Sequence, residues 1–214
     1  MDSKPLPASP GLSHKGWHAR GYLPHCDFPG LIQGLTFRLF DSVPGEVMES
    51  WKRELDWMEH RTTEERDAVY DSQRQEMHRR VAAFEDTGAG CCFLNYPEVA
   101  QFMEEALRFF HGARYQLMAW CVMPNHVHAL IAPLEPWTVG KIMHSWKRHT
   151  ARQANRLLHR TGGAFWALDY YDRFIRDEPH FLRAVDYIHQ NPVKAGLCSK
   201  AEDWRWSSAR RAVR

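Results

Sequence analysis

His126 and His128 are separated by one residue, Val127, inside a run of strand-forming residues. On a β-strand, side chains at i and i+2 leave the same face, so the two imidazoles project together. Val127, Ala129 and Ile131 then take the opposite face, toward the core. Two adjacent imidazoles are half of a metal site; alone, the pair equally suits two polar residues on a half-exposed strand. Tyr187 and Asn191 are four residues apart, a spacing that stacks them on one face of a helix. Tyr187 lies roughly 100° around that helix from Ile188, the centre of its apolar stripe. Phenol and carboxamide therefore sit at the edge of the buried face, where a side chain reaches a cleft. There a tyrosine is a candidate nucleophile and an asparagine a candidate oxygen ligand. The plain structural alternatives are amphipathic packing of Tyr187 and helix termination by Asn191 ahead of Pro192.

The elements that must present these groups are legible from periodicity. Residues 1–30, with Pro5, Pro7, Pro10 and Gly11, read as an arm or irregular cap. Leu35, Phe37 and Leu39 alternate with polar residues, as in a strand. The charge-rich stretch from Glu46 to Asp86 carries Val47, Trp51, Leu55 and Met58 at helical spacing, and Thr87-Gly88-Ala89-Gly90 ends it. A helix is expected over Pro97–His111, and a strand buried on both faces over Tyr115–Met123. The turn Pro124-Asn125 leads to the His126–Ala132 strand, and a long helix runs from Val139 to about Leu158. Phe165–Phe174 contains an edge strand. Asp177 caps a last helix, whose end is expected at Asn191 because Pro192 disfavours helical geometry in the residue before it. The simplest assembly is an α+β sandwich, a small antiparallel sheet with helices on one face.

Composition narrows the function classes. Hydrophobic residues make up 44% of the 214 and aromatic ones 13%, which suits a packed core and excludes a disordered chain. No run approaches the ~18 apolar residues of a membrane helix, and the N-terminus has no apolar stretch of the signal-peptide kind. Five cysteines without a CxxC pair fit neither a disulfide framework nor a structural zinc site, and point to a reducing cytoplasm. The net charge of +2 hides an asymmetry: from Lys141 onward there are 15 Lys/Arg against 7 Asp/Glu, and before it 13 against 19. A basic half suggests a polyanionic partner such as nucleic acid. Lys141, Arg148, Arg152 and Arg156 share one helical face and are candidates to track phosphates, or else form a solvated face.

Taken in order, the motifs resemble a known family. Trp120-Cys-Val-Met-Pro-Asn-His-Val-His-Ala-Leu is similar to the His-hydrophobic-His block of the HUH single-strand nucleases. Tyr187-Ile-His-Gln-Asn-Pro-Val-Lys-Ala-Gly-Leu197 resembles the tyrosine block of their transposase branch, the REP-associated tyrosine transposases related to IS200/IS605 transposases. Trp17–Tyr22, Phe165-Trp166, Tyr170–Glu178 and Asp203–Ser208 add to the likeness, which spans residues 17–40 and 90–208. The resemblance implies a single IS200-like transposase domain over 1–214 with a ferredoxin-like sheet, the His pair on a central strand, the arm at 1–30 and a helical insertion at about 46–87. It implies Mg²⁺ or Mn²⁺ held by His126, His128 and Asn191, and Tyr187 as a nucleophile that nicks and rejoins single-stranded DNA through a 5′-phosphotyrosine link, the chemistry of DNA transposition. Imperfect hairpins with a single-stranded guide are the implied substrate, with Arg20 and Lys194 as further DNA-binding candidates. A metal-adjacent water or His189 is the candidate base. The residues leave open a monomer or a homodimer. Rival readings are a relaxase or replication initiator, a non-catalytic hairpin-binding regulator and a metal-dependent hydrolase using water.

Overall fold

The computed structural model describes residues 17–19, 24–26, 30–59, 76–77 and 79–211. Within the expected arm, β1 (Trp17–Ala19) and β2 (Pro24–Cys26) pair antiparallel, so part of the presumed irregular segment is a strand pair. Arg20 lies outside the described residues.

The main sheet has four antiparallel strands: β3 (Gln33–Arg38), β4 (Tyr115–Val122), β5 (His126–Pro133) and β6 (Tyr171–Phe174). Their spatial order is β4-β5-β3-β6. Helix α2 (Pro97–Phe109) connects β3 to β4, and α3 (Val139–Leu157) connects β5 to β6. This is the strand–helix–strand–strand–helix–strand order of a ferredoxin-like fold, with β3 and β5 central. The sequence expectation of an α+β sheet of this kind holds.

Alternation along the central strands separates two cores. Leu35 and Phe37 from β3, with Val127, Ala129 and Ile131 from β5, face α2 and α3. There Phe37 stacks on Trp146 with ring centroids 6.1 Å apart, and Trp146 Nε1 donates to the buried Tyr115 hydroxyl at 2.9 Å. Thr138 caps α3 by accepting from the Lys141 amide. The other face carries Ala119, Cys121 and Leu130, and α4 (Glu178–Lys194) covers it through Ala184, Val185 and Ile188. Among these helices the two crossover helices share one face and α4 takes the opposite one, so helices flank the sheet on both faces and not on one as expected.

Three local expectations change. Strand β4 is at the sheet edge, with Gln116 and Met118 exposed, so only its second half is buried on both faces. Its outer side is closed by the C-terminal segment: the Val122 amide donates to the Trp206 carbonyl, Trp204 Nε1 to the Val122 carbonyl, and the Trp120 amide to Ser208 Oγ. That gives the Asp203–Ser208 motif a structural task, covering an edge that would otherwise offer unpaired backbone groups. Helix α4 passes through Asn191 and ends at Lys194 with Pro192 inside it. The missing amide of Pro192 falls within the last turn, where the Ala195 and Leu197 amides still close onto the Asn191 and Pro192 carbonyls, so the local bias is overridden. Within the expected insertion, α1 (Gly45–Glu59) and residues 79–85 are helical. Trp51 meets Phe84 edge-on at 6.2 Å, and Arg80 pairs with Glu54 and Glu76.

Candidate metal and nucleophile site

Central position places both histidines of β5 beneath α4. His126 and His128 are 1% and 2% exposed, and their Nε2 atoms approach to 3.0 Å. From α4, the Asn191 carboxamide arrives with Nδ2 3.0 Å from His128 Nε2. Tyr187, one turn earlier, lays its ring against His128 at a centroid distance of 5.4 Å and an interplanar angle of 76°. The strand spacing and the helix spacing therefore converge, and the structure brings Tyr187, His126, His128 and Asn191 together.

Each imidazole is held from behind. His128 Nδ1 lies 2.9 Å from Thr36 Oγ1 on the neighbouring strand, as the cross-strand register Thr36↔His128 requires. His126 Nδ1 lies 2.8 Å from Asn125 Oδ1. With both Nδ1 atoms engaged, both Nε2 atoms turn toward one point, the arrangement that orients imidazoles around a cation.

The donor set fits a divalent ion. Two nitrogens each about 2.1 Å from a six-coordinate ion, at a right angle, stand ~3 Å apart, and the His126–His128 separation is 3.0 Å. Asn191 Oδ1 is buried without a hydrogen-bond partner among the described residues, and rotating the amide by 180° exchanges it with Nδ2. Among the described residues no cluster of three His, Cys, Asp or Glu occurs; beside the two imidazoles stands the Asn191 carboxamide. Two imidazoles favour Mn²⁺, whereas hard oxygen donors favour Mg²⁺.

Charge around the phenol comes from both sides. Burial, then Asp86 and Glu85, push the Tyr187 hydroxyl up to about 12, against a lowering hydrogen bond from Asn191. Lys194 Nζ sits 5.0 Å over the Tyr187 ring, so this sequence candidate does reach the site. Tyr171, opposite Thr36 in the register, lies on the same sheet face, whereas Tyr170 belongs to the core on the α3 side. His189 Nε2 is 2.8 Å from Ser208 Oγ, and its place two positions along α4 turns it roughly 200° around the helix from the phenol. Lys141, Arg148, Arg152 and Arg156 are exposed on α3, across the sheet from the histidines.

Sequence reasoning missed Asn125, Thr36, Arg38, Glu85 and Asp86. Asn125 reads as a turn residue and Thr36 as the polar half of an alternation, yet each meets a histidine. Arg38 pairs across the strands with His126 and donates to Ser42 Oγ at 3.3 Å. Burial lowers its pKa, opposed by the Glu85 and Asp169 charges.

Residues 94–191 match the family described as "Transposase IS200 like". That segment is just under half of the chain. Among curated relatives, a protein of Haemophilus influenzae (strain Rd) provisionally described as a REP-associated tyrosine transposase is 27% identical over 110 residues, 47% of this chain and 62% of its own length. The REP-associated tyrosine transposase of Escherichia coli K12 is 27% identical over 100 residues, 46% of this chain and 57% of its own length. The matches thus span about three-fifths of these relatives. The solved structure titled as a REP-associated tyrosine transposase bound to a REP hairpin superimposes with a TM-score of 0.51 and 18% identity, covering 91% of this chain and 86% of that one. At that identity the likeness establishes the fold.

Proposed function

We propose that the chain is a metal-dependent tyrosine transposase of the REP-associated kind, nicking and rejoining single-stranded DNA beside a hairpin. The observation that carries this is His128 Nε2 standing 3.0 Å from both His126 Nε2 and Asn191 Nδ2, with the Tyr187 ring against His128. The neighbour's REP hairpin and the curated relatives' descriptions support the choice of DNA and of reaction.

His126, His128 and Asn191 would hold a divalent cation, which would supply neutralisation of the charge that develops on the phosphate. Tyr187 Oη attacks phosphorus in line, the bond to the 3′ oxygen breaks, and the phosphate stays on Tyr187 as a 5′-phosphotyrosine. The phenolic proton leaves as the new bond forms, and the departing 3′ oxygen takes up a proton. A second 3′-hydroxyl reverses the step, so strands are joined without ATP. With its hydroxyl pushed up to about 12, Tyr187 is protonated in the unbound protein at neutral pH. Lys194, over the ring, is placed to oppose the Asp86 carboxylate.

The test compares three oligonucleotides from the genomic flanks of the coding sequence: hairpin stem plus flank, flank alone, and fully paired duplex. Tight binding to stem plus flank, weaker binding to flank alone, and Mn²⁺-dependent cleavage only in the flank are expected. Changing His126 and His128 together to Ala abolishes cleavage and spares binding. Wild-type cleavage that is equal in EDTA refutes the metal reading. Equal cleavage of duplex and hairpin makes the protein a general nuclease.

A further inference from the structure

The reaction above makes no use of Asn125 or of the backbone of residues 85–91, which packs directly behind the site. Asn125, in the β4–β5 turn, is 1% exposed. Its Nδ2 donates to the Glu85 carbonyl at 3.1 Å and to the Ala89 carbonyl at 3.0 Å, and its Oδ1 faces His126 Nδ1 at 2.8 Å. A carbonyl only accepts, so both amide protons are committed and the carboxamide has one orientation. Its oxygen only accepts too, so the proton of His126 resides on Nδ1 and Nε2 carries the lone pair. Thr36, a hydroxyl that both donates and accepts, suits either tautomer of His128. The tautomer of His126 is therefore dictated, and by two backbone carbonyls at the C-terminal end of the helical insertion.

That end is itself seated on the core. The Cys91 amide donates to Asp41 Oδ2 at 2.8 Å, and the Leu39 amide to the Asn125 carbonyl at 2.8 Å. Gly90 has φ +88, and a Cβ there would lie 2.7 Å from the Asp41 carbonyl oxygen. Only glycine permits this approach.

We infer that residues 85–91, through Asn125, are a positioning element for His126, holding its Nδ1–H tautomer so that docking of the insertion sets the site's affinity for a divalent cation. The cation part rests on the proposed function; the tautomer part does not.

The experiment uses the full chain without metal, at a pH where the imidazoles are neutral. Long-range ¹H–¹⁵N spectra report the His126 tautomer, and electron paramagnetic resonance of unbound Mn²⁺ reports affinity. Wild type shows His126 mainly as Nδ1–H. Asn125→Ala, which removes the acceptor, loses that preference and binds Mn²⁺ about 10–100-fold more weakly. Asn125→Asp keeps an acceptor for His126 Nδ1, and with it the tautomer, but has no amide protons for the Glu85 and Ala89 carbonyls and so releases 85–91. Gly90→Ala, remote from the cation, shifts 88–91 off Asp41 and reproduces the Asn125→Ala effects in a chain whose circular dichroism is unchanged. A folded Gly90→Ala chain with wild-type tautomer and Mn²⁺ affinity overturns the coupling. If Gly90→Ala does not fold, the Asn125 pair decides: identical tautomer populations in wild type and Asn125→Ala overturn it. Tautomer changes as expected, with no Mn²⁺ binding even in wild type, sustain the positioning role and refute the metal reading instead.

Discussion

Replacing Glu85 by Gln should remove most of the pH dependence that this residue imposes on stability. Glu85 is 2% exposed, and its Oε2 has no hydrogen-bond partner among the described residues. Burial raises its pKa to about 8, opposed by the Arg38 guanidinium and assisted by Asp86. An unfolded glutamate titrates at about 4.3, so between that value and about 8 the folded chain holds a proton that the unfolded chain has released. Stability therefore falls as pH rises across this window, by about 1.4 kcal/mol per unit. Below the window Glu85 costs nothing extra, and above about 8 the loss levels off. The full span sums to about 5 kcal/mol, an upper figure because buried carboxylates recruit water and neighbours relax. Glu85→Gln cannot ionise, so its stability relative to wild type should climb by about 2–5 kcal/mol from pH 4.5 to 8.5, or about 5–15 °C in Tm. Urea unfolding at closely spaced pH values measures the difference directly. A Gln-minus-wild-type difference that stays constant across the window refutes the reasoning.

Two further outcomes follow from the two sheet faces. Trp146→Ala empties the centre of the α2–α3 core and leaves the Tyr115 hydroxyl without its donor, which should cost about 3–5 kcal/mol in chemical denaturation. Changing Arg148, Arg152 and Arg156 together to Ala should leave single-strand cleavage within about threefold, whereas Lys194→Ala alone, beside the Tyr187 ring, should lower it tenfold or more; a single-turnover assay reversing that order would place the DNA along α3.

The convergence of His126, His128, Tyr187 and Asn191 is legible in the sequence because short-range geometry sets most of it. One strand fixes which way His126 and His128 face, and one helical turn links Tyr187 to Asn191. What periodicity could not supply is which side of the sheet each helix takes. It marked Lys141, Arg148, Arg152 and Arg156 correctly as the exposed face of α3, yet that face looks away from the histidines. Contacts made across long sequence separations were equally hidden. Thr36 reaches His128 over 92 residues and Asn125 reaches the Glu85 carbonyl over 40. Neither side chain departs from its local pattern. The end of α4 was misjudged because the preference of a residue before proline is a local bias, and Asn191 is held helical by packing beside His128.

The central claim is that Tyr187 is the nucleophile, and covalent capture tests it most directly. Wild type and Tyr187→Phe are incubated with a hairpin-plus-flank oligonucleotide and Mn²⁺, resolved on denaturing gels, and any adduct is digested and located by mass spectrometry. The change removes one hydroxyl from a half-buried ring, so fold and hairpin binding should persist. The account predicts a wild-type adduct mapped to Tyr187 as a phosphotyrosine bearing the 5′ end of the DNA, and none from Tyr187→Phe. An adduct of undiminished yield in Tyr187→Phe, mapped to Tyr171 or elsewhere, would contradict it.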